Sequence, residues 1–506
     1  MLKNIHEMLS ENAKRFPRRK AVFSKRKALT YRTLNTLVDR CASSLVDLGI
    51  SKEDKVAVLS KNCLQVLISY FAILRAVATV VPVNYMLKEP EVEYILKDAG
   101  INCIIVSSEH LDMVRNISSK LESLRSVIVI GEKEEDALSF SSLLKAEPKK
   151  QYPETDPEET AFLIYTSGTT GYPKGVMLTH KNLISNVISA VDTISVTRKD
   201  RFLCFLPMFH SFTLTVCLFL PLYRGAAVTI IESVIPFSRV VRSLLARKVT
   251  IFVAIPPVYN VLSSLELPRI FNFWLFKKLI PLRLCISGAA SLPIEVLHGF
   301  EKKFHIPLLE GYGLTEASPV VSINPLNGET KEGSVGLSIP GVEVKVVDSK
   351  GRSLDSGKPG ELLVRGSNVM KGYYKNEEAT RETIKDGWLY TGDIATIDSE
   401  GYVYIVDRKK DMINVRGQNV YPREIEEVLY QHPKIAEAAV IGVKDDLRGE
   451  VPKAFIILKK RERASKGEFI YYLRDRLASY KVPRNIEIKE TLPKSITGKI
   501  LKKALK

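Results

Sequence analysis

The stretch "YTSGTTGYPKGV", residues 165–176, follows a run of four apolar residues, 161–164, that is typical of a buried strand. Its glycines permit backbone conformations that other residues resist, and its hydroxyls accompany amide groups that a bend leaves unpaired. Lys174 adds an ammonium to the same bend. This composition suits phosphate oxygens, although the spacing differs from the GxxxxGK[ST] pattern of mononucleotide-binding loops. A plain flexible turn is the alternative for this segment taken alone.

The surrounding chain predicts layers of helices and strands. Runs rich in β-branched residues alternate with helical patterns such as residues 70–78, which indicates an α/β fold with largely parallel sheets. These runs are residues 55–60, 103–108, 126–131 and 226–231. With 506 residues, 45% of them hydrophobic, the chain is long enough for at least two domains.

The pattern of predicted secondary structure changes twice towards the C-terminus. From about residue 333, short alternating strands with turn signals predict a small β-rich module that ends near residue 407. The polar, charged stretch 407–413 then precedes a compact α+β unit of about a hundred residues. We therefore expect an N-terminal domain over residues 1–407 and a C-terminal domain over residues 408–506.

Composition limits the partners. The net charge of +17 could attract phosphates, nucleic acid or an anionic membrane, but no basic run is interleaved with aromatics, so we expect no nucleic-acid binding. Six scattered cysteines without a CxxC pair predict buried free thiols. No stretch approaches the roughly 18 apolar residues of a membrane span, and residues 1–10 lack the apolar centre of a secretory signal. These features predict a cytoplasmic protein.

Three further motifs carry chemistry. "EGYGLTE" (310–316) combines a glycine-flanked aromatic, a threonine and a carboxylate, which suit a base, a phosphate and a divalent ion. "YTGDI" (390–394) adds Asp393, whose carboxylate could accept hydrogen bonds from a ribose diol. "LPKSITGKI" (492–500) carries Lys499 behind a hydroxyl-rich turn.

These four motifs, in this order, resemble the adenylate-forming superfamily of acyl-CoA synthetases, luciferases and peptide-synthetase adenylation domains, most of all bacterial-type long-chain fatty acid–CoA ligases. The resemblance implies an α/β fold: a large N-terminal domain of layered α/β subdomains with a small β-rich module, and a small mobile α+β C-terminal domain. It also implies two half-reactions. A carboxylic acid and ATP give an acyl-adenylate and pyrophosphate, and a thiol then displaces AMP.

Site roles follow from the resemblance, residue by residue. It implies ATP-binding roles for Thr166, Ser167, Gly168, Thr169, Thr170, Gly171 and Lys174 at the phosphates, for Gly288, Ala289, Ala290, Glu310, Gly311 and Tyr312 around the adenine, for Thr315 at the α-phosphate, and for Asp393 and Arg408 at the ribose. Glu316 is expected to bind Mg²⁺. Lys499 is expected to bridge the attacking carboxylate and the α-phosphate, so that it serves adenylation and not thioester formation. The catalytic set is then Lys499, Thr315, Glu316 and His210.

The stretch 407–426 resembles the hinge and first strand of the mobile domain. Lys410 aligns with the family's pivot, and Gly417 with a glycine near the thiol tunnel. A few connector residues can absorb the backbone changes by which one domain presents two faces in turn.

The segment 206–226 is expected to line the acyl pocket, through His210, Phe212, Thr215, Val216 and Phe219. Amino-acid-activating relatives place an aspartate where this chain has His210, which disfavours an amino acid substrate. An aromatic gate into an apolar channel favours a medium- to long-chain fatty acid, because each buried methylene contributes about 0.8 kcal/mol. A buried core helix would give a similar pattern.

Several alternatives stay open. Coenzyme A is the favoured acceptor, and a carrier protein with phosphopantetheine is the other. A catalytically retired nucleotide-binding homologue and a luciferase-like oxidase are rival functions, although the five residues Thr315, Glu316, Asp393, Arg408 and Lys499 all match an active enzyme. Aromatic and cationic residues in segment 267–283 suggest a peripheral contact with the inner face of a membrane. A homodimer is a further hypothesis.

Overall fold

The computed structural model describes residues 2–25, 27–132, 134, 136–149, 151–166, 172–264, 281–415, 418–445, 449–495 and 499–505, and every structural statement below concerns these residues.

The strands, in chain order, are β1 (Lys20–Ser24), β2 (Lys27–Thr30), β3 (Lys55–Leu59), β4 (Thr79–Val83), β5 (Cys103–Ser107), β6 (Ser126–Ile130), β7 (Leu138–Ser139), β8 (Thr160–Thr166), β9 (Lys174–Thr179), β10 (Arg201–Cys204), β11 (Ala227–Ile230), β12 (Ile251–Ala254), β13 (Leu284–Ser287) and β14 (Leu308–Gly313). They continue with β15 (Val320–Ile323), β16 (Leu337–Ser338), β17 (Val342–Val347), β18 (Gly360–Gly366), β19 (Gly372–Tyr373), β20 (Ile384–Lys385), β21 (Trp388–Ile397), β22 (Val403–Arg408), β23 (Ile413–Val415), β24 (Gln418–Val420), β25 (Ile435–Asp445), β26 (Gly449–Leu458) and β27 (Asn485–Ile488).

The α-helices are α1 (Glu7–Arg15), α2 (Tyr31–Asp47), α3 (Leu64–Arg75), α4 (Glu89–Ala99), α5 (Leu111–Ser118), α6 (Phe140–Leu143), α7 (His180–Thr193), α8 (Leu220–Arg224), α9 (Phe237–Ala246), α10 (Pro256–Ser264), α11 (Ile294–Phe304), α12 (Glu377–Thr383), α13 (Pro422–Tyr430) and α14 (Lys466–Arg474). A π-helix spans Thr213–Phe219, and short 3-10 helices span Ser108–His110, Thr315–Ala317 and Lys502–Leu505.

Two large sheets form the N-terminal part. The first sheet runs in the order β16-β15-β14-β13-β12-β10-β11-β1-β2, and the second in the order β19-β9-β8-β4-β3-β5-β6-β7. Their central strands pair in parallel, for example β12 with β13, β13 with β14, and β3 with β4 and β5. The four predicted strand runs correspond to β3, β5, β6 and β11, so the expectation of α/β layers with largely parallel sheets is confirmed.

One hydrophobic core joins the two sheets. It combines Val253 of the first sheet and Phe162 of the second with Phe71 of α3, all of them buried. Every residue of α3 from Val66 to Arg75 is buried in this core, which agrees with the mainly apolar sequence of the helix. Its last residue, Arg75, is only 3% exposed and donates to Asp39 at 2.6 Å, which satisfies the buried charge.

Two smaller sheets follow. The third sheet has the order β17-β18-β21-β20, with β22 paired to β21. The C-terminal sheet comprises β23 to β27, and it packs with α13 and α14 around a separate core that includes Val440 and Phe469. The turn at residues 409–411 joins β22 to β23. A domain boundary at residues 407 and 408 stays a prediction.

The predicted membrane-contacting segment is only partly described. Residues 267–280, which carry its aromatic side chains, lie outside the described residues. Its last cation, Arg283, forms two bonds with the buried Asp200, from Nε at 2.8 Å and from Nη2 at 2.9 Å. Arg283 therefore serves an internal ion pair. Within the described ranges, no helix has both the length and the apolar character that crossing a membrane requires.

Asp200 organises the start of three neighbouring strands. It is 3% exposed and accepts hydrogen bonds from the Thr197 amide at 2.8 Å and the Thr250 hydroxyl at 2.8 Å, in addition to the bonds from Arg283. Burial raises the pKa of Asp200, but the bonds from Arg283, Thr197 and Thr250 outweigh it and hold this pKa below its ordinary value.

Asp200→Ala is expected to lower the free energy of unfolding by about 3–5 kcal/mol, because it leaves the Arg283 guanidinium partly buried without its partner. Since the pKa of Asp200 is depressed in the folded state, its contribution is present above the pKa of an unfolded aspartate, about 3.9, and is lost as pH falls below it. Urea unfolding at pH 7 and pH 3 measures both effects.

The matched control is Asp355→Ala, which removes an exposed pair with Lys358 and is expected to change stability by less than about 0.5 kcal/mol. Equal unfolding midpoints for the two variants at pH 7 would contradict the role of Asp200.

Candidate active site

Strands from two sheets meet at the carboxylate of Asp393. The Tyr312 hydroxyl donates to Asp393 Oδ2 at 2.5 Å, and Arg408 Nε lies 3.1 Å from Asp393 Oδ1. Tyr312 lies on β14 of the first sheet, while Asp393 and Arg408 lie directly opposite each other on β21 and β22 of the third sheet. Three residues from separate motifs therefore form one linked group.

This group retains the capacity to bind hydroxyls. Asp393 is 3% exposed, and each of its oxygens has one protein partner. A carboxylate has about four lone-pair sites, so two remain for further donors. Burial raises the pKa of Tyr312 well above its ordinary value, and the neighbouring Asp393 carboxylate raises it further, so that Tyr312 stays a donor.

The 3-10 helix that follows β14 presents Thr315 and Glu316. The Tyr373 hydroxyl donates to Glu316 Oε1 at 3.0 Å, and the hydroxyls of Ser211 and Thr315 are 3.1 Å apart. Burial raises the pKa of Glu316. Among the described residues, no group of three or more His, Cys, Asp and Glu side chains is arranged to hold a metal ion.

The glycine-rich stretch joins two strands of a hairpin. Thr166 at the end of β8 pairs with Lys174 at the start of β9. Of the residues that connect the two strands, 167–171 lie outside the described residues. These include the predicted phosphate ligands Ser167, Gly168, Thr169, Thr170 and Gly171. Lys174 Nζ lies 5.0 Å from the ring centroid of Tyr373, the residue that bonds Glu316. One tyrosine thus links the hairpin to the predicted metal ligand.

The loop after β13 runs beside the end of β14. Because β13 and β14 are parallel, residues 288–290 and Tyr312 lie at the same edge of the first sheet. Ala289 adopts a left-handed conformation with φ of 67°. The Phe212 ring packs against Gly288 so closely that a Cβ there would lie 2.8 Å from Phe212 Cζ. The predicted acyl and adenine sites are therefore adjacent.

Glu310 bonds the loop that follows β13, and its predicted place beside the adenine stays a prediction. Its Oε1 accepts the Leu292 amide at 2.9 Å, and its side chain is buried, with the residue 6% exposed. Burial raises the pKa of Glu310 to about 7, while the Arg423 guanidinium opposes the shift. Its carboxylate thus fixes the loop after β13, and Gly311 lies in the β14–β15 ladder opposite Ile323.

The predicted acyl segment divides into two environments. His210 is half-buried and its Nδ1 accepts the Phe212 amide at 3.3 Å, while burial lowers the pKa of His210 to about 4, so that the imidazole is neutral at pH 7. Thr215 donates to the Ser318 carbonyl at 3.1 Å. Phe219 is fully buried and packs edge-on against Phe71 and Phe162. The pocket assignments of Thr215, Val216 and Phe219 stay predictions, since these three side chains are core residues of the π-helix.

Lys499 lies after the last strand of the C-terminal sheet, and its pKa responds to charges of the Asp393 group. Lys499 is exposed to solvent, yet the protein around it lowers the pKa of its ammonium to about 8. Partial loss of hydration is the larger cause, the positive charge of Arg408 adds to it, and the Asp393 carboxylate offsets part of the shift. Lys499 therefore lies within electrostatic range of the Asp393 group. Lys410 is exposed in the turn at residues 409–411, and Gly417 lies outside the described residues.

The profile of the AMP-binding enzyme family matches residues 9–374, and that of the AMP-binding enzyme C-terminal domain matches residues 424–499. The chain belongs to the AMP-binding enzyme family. The predicted membership of the adenylate-forming superfamily is thereby confirmed, and the chain is an enzyme of the AMP-forming acyl-CoA ligases.

Relatives match over nearly the whole length. The long-chain-fatty-acid–CoA ligase of Bacillus subtilis (strain 168) is 36% identical, over 99% of this chain and 94% of its own. A feruloyl-CoA synthase of Amycolatopsis sp. is 34% identical, over 94% of this chain and 93% of its own. The crystal structure of ATP-bound MatB from Rhodopseudomonas palustris has a TM-score of 0.92 at 29% identity, covering 100% of this chain and 98% of MatB. The predicted fold class is confirmed.

Two contributors to this candidate site could not be predicted from the four motifs. Tyr373 and Ser211 bond Glu316 and Thr315, respectively, but lie outside the four motifs. Neither has a local signal, because Tyr373 is 57 residues from Glu316 and Ser211 is 104 residues from Thr315. Their contribution depends on pairing between β19 and β9 and on packing of the segment before the π-helix.

The kcat/KM for ATP in pyrophosphate exchange is expected to fall as pH rises through about 8. The lowered pKa of Lys499 leaves its ammonium charged below that pH and neutral above it, and the dependence of kcat/KM reports groups of the free enzyme. The control is Lys499→Arg, whose guanidinium stays charged and whose profile should lack this decline, whatever its absolute rate. A wild-type profile that stays level from pH 7 to pH 10 would contradict the assignment.

Proposed function

We propose that this AMP-binding enzyme activates a medium- to long-chain fatty acid as acyl-AMP, with release of pyrophosphate, and then transfers the acyl group to coenzyme A. The observation that carries the proposal is the contact of Tyr312 and Arg408 with the Asp393 carboxylate, with Glu316 and Lys499 close enough for their pKa values to respond to these charges. The similarity to a long-chain-fatty-acid–CoA ligase over 99% of the chain supports the same function.

In this proposal the Asp393 group holds the ribose of ATP. Each charged hydrogen bond from a ribose hydroxyl to Asp393 would be worth about 1.5–3 kcal/mol. The edge formed by residues 288–290 and Tyr312 would face the adenine. Thr166, Lys174 and the residues between them would bind the β- and γ-phosphates, and Thr315 the α-phosphate.

Magnesium fits the oxygen donors at Glu316. Mg²⁺ prefers oxygen ligands, keeps several waters and is commonly held by one or two carboxylates together with substrate phosphates. Glu316 offers one carboxylate with one oxygen already oriented by Tyr373. When bound, the ion would neutralise charge that develops on the phosphates.

Lys499 would stabilise the first transition state. Its ammonium lies near Asp393 and Arg408, where an acid carboxylate and the α-phosphate would meet. Removing a preorganised donor of this kind typically costs about 3 kcal/mol. Rotation about the turn that contains Lys410 would then withdraw Lys499 and bring residues near Gly417 to the acyl-adenylate.

The surroundings of His210 and Phe212 favour an apolar acid. His210 is neutral at pH 7 and replaces the aspartate that pairs with an amino acid ammonium. The Phe212 ring lies against Gly288, at the junction with the adenine side, and the buried π-helix follows it. An aromatic acid is the second candidate, because the feruloyl-CoA synthase is nearly as similar as the fatty acid ligase.

Coenzyme A is the favoured acceptor, since each relative named above as a ligase or synthase forms a CoA thioester by its name. Transfer to phosphopantetheine of a carrier protein is the alternative. Both acceptors are anionic and suit a chain of net charge +17.

A panel of acids tests substrate and acceptor together. Acetate, octanoate, palmitate, oleate, benzoate and ferulate are each assayed for ATP-dependent pyrophosphate release and for thioester with coenzyme A or holo acyl carrier protein. We expect kcat/KM with coenzyme A to rise with chain length from acetate to palmitate, because each added methylene removes more apolar surface from water.

Lys499→Ala serves as the inactive control for the same panel. Higher kcat/KM for ferulate or benzoate than for palmitate would replace the fatty acid proposal with the aromatic one. Thioester formed with the carrier protein and not with coenzyme A would overturn the acceptor.

A further inference from the structure

Arg423 joins the C-terminal sheet unit to the strand that precedes the turn at residues 409–411. It lies in the first turn of α13, its amide donates to Asp407 Oδ2 at 2.9 Å, and its Nη1 donates to the Ile405 carbonyl. Its side chain is 13% exposed. Both acceptors belong to β22, so one largely buried arginine spans the connector between the third sheet and the C-terminal sheet.

The same arginine faces two carboxyl groups. Arg423 Nε lies 3.8 Å from Glu427 Oε1 on its own helix. Across the interface, its positive charge opposes the effect of burial on Glu310, the residue that fixes the loop after β13. Loss of the guanidinium would leave both carboxyl groups without their shared cation.

Asp407 is also influenced by Lys502, a lysine near the C-terminus. It is 7% exposed and also accepts the Arg408 amide at 2.7 Å. Burial raises the pKa of Asp407, while Lys502 and the amides of Arg423 and Arg408 lower it. Lys502 lies 2.8 Å from Glu426 of α13; burial lowers the pKa of Lys502, but Glu426 and Asp407 outweigh it and raise that pKa.

The C-terminal segment that carries Lys499 is held against α13. Lys502, three residues after Lys499, lies 2.8 Å from Glu426 of that helix, and the negative charge of Asp407 also favours the charged form of Lys502. Because Ile405 and Asp407 lie before the turn while Arg423 lies after it, rotation about the turn would separate Arg423 from both of its acceptors.

We propose that Arg423 and Asp407, assisted by the nearby charge of Lys502, form an interdomain latch that stabilises the arrangement of the two units in this structure, in which Lys499 lies within electrostatic range of Asp393. Arg423 is then a positioning residue for adenylation and has no role in the transfer of the acyl group to the thiol. The proposal rests on the two half-reactions proposed above. Weakening the latch reduces the fraction of molecules competent for the first half-reaction and leaves or increases the fraction competent for the second.

Separate assays of the half-reactions test this division. For Arg423→Met, we expect the rate of acyl-AMP formation at saturating ATP and acid to fall about tenfold, because the competent population falls while the contacts of bound substrate remain. Thioester formation from supplied acyl-AMP and coenzyme A should stay within about twofold of wild type or increase. Asp407→Asn removes the negative charge that favours the charged form of Lys502. Like Arg423→Met, it should lower the rate of acyl-AMP formation and leave or increase the rate of thioester formation.

The matched control is Lys481→Met. Lys481 donates to both carboxylate oxygens of Glu424, at 2.6 Å and 2.8 Å. Glu424 lies on α13 next to Arg423, but the Lys481–Glu424 pair lies entirely within the C-terminal sheet unit. The Lys481→Met variant should leave the ratio of the two rates unchanged. Equal losses in both half-reactions for Arg423→Met, or no loss in the first, would overturn the latch.

A distance measurement gives a readout that does not depend on activity. Spin labels on Ser119→Cys and Lys460→Cys, both exposed, report the separation of the two units by pulsed electron resonance in a Cys63→Ser background. We expect Arg423→Met to broaden or shift the distance distribution relative to wild type, and Lys481→Met to leave it unchanged. An unchanged distribution for Arg423→Met would overturn the latch, whereas failure of wild type to form acyl-AMP from any acid would overturn the proposed function alone.

Discussion

The carboxylate of Asp393 ties the structure together, because it is the point where the first sheet, the third sheet and the connector to the C-terminal sheet meet. It is almost fully buried and is held by the Tyr312 hydroxyl on one side and the Arg408 guanidinium on the other. A buried carboxylate without partners would be costly, so the three side chains constrain each other's strands. Arg408 is also the last residue of β22, directly before the turn at residues 409–411. The proposed ribose site and the proposed hinge are therefore neighbours in the chain.

This neighbourhood links chemistry to domain arrangement. The Arg408 charge that pairs with Asp393 also lowers the pKa of Lys499, which arrives from the far end of the chain. Asp407, the residue directly before Arg408, accepts a hydrogen bond from the Arg423 amide. Two consecutive residues therefore have different proposed roles. Arg408 belongs to the proposed nucleotide site, and Asp407 belongs to the proposed contacts that hold the C-terminal unit in place. Large rearrangements that start from such a short connector need only a few bonds to be exchanged.

Much of the fold could be predicted from the sequence, because apolar periodicity reports burial directly. The runs at β3, β5, β6 and β11 and the change to short strands after residue 333 illustrate this. The convergence of Tyr312 and Asp393 came from family resemblance and not from periodicity. The partner of Glu310, the link from Lys174 through Tyr373 to Glu316, and the role of Arg283 in an internal ion pair were missed. Each depends on pairing between distant strands, which a local pattern does not encode.

Equilibrium binding measures whether Asp393 holds the ribose of an adenylate. Isothermal titration calorimetry with a non-hydrolysable acyl-sulfamoyl adenosine compares wild type, Asp393→Ala and Asp398→Ala, the last of which removes an acidic partner of Lys331 in the same β-rich module. Loss of two charged hydrogen bonds predicts that Asp393→Ala weakens binding by about a hundredfold or more, with Asp398→Ala close to wild type. Equal affinity of Asp393→Ala and wild type for this analogue, with both proteins folded, would contradict a role of Asp393 in binding the ribose.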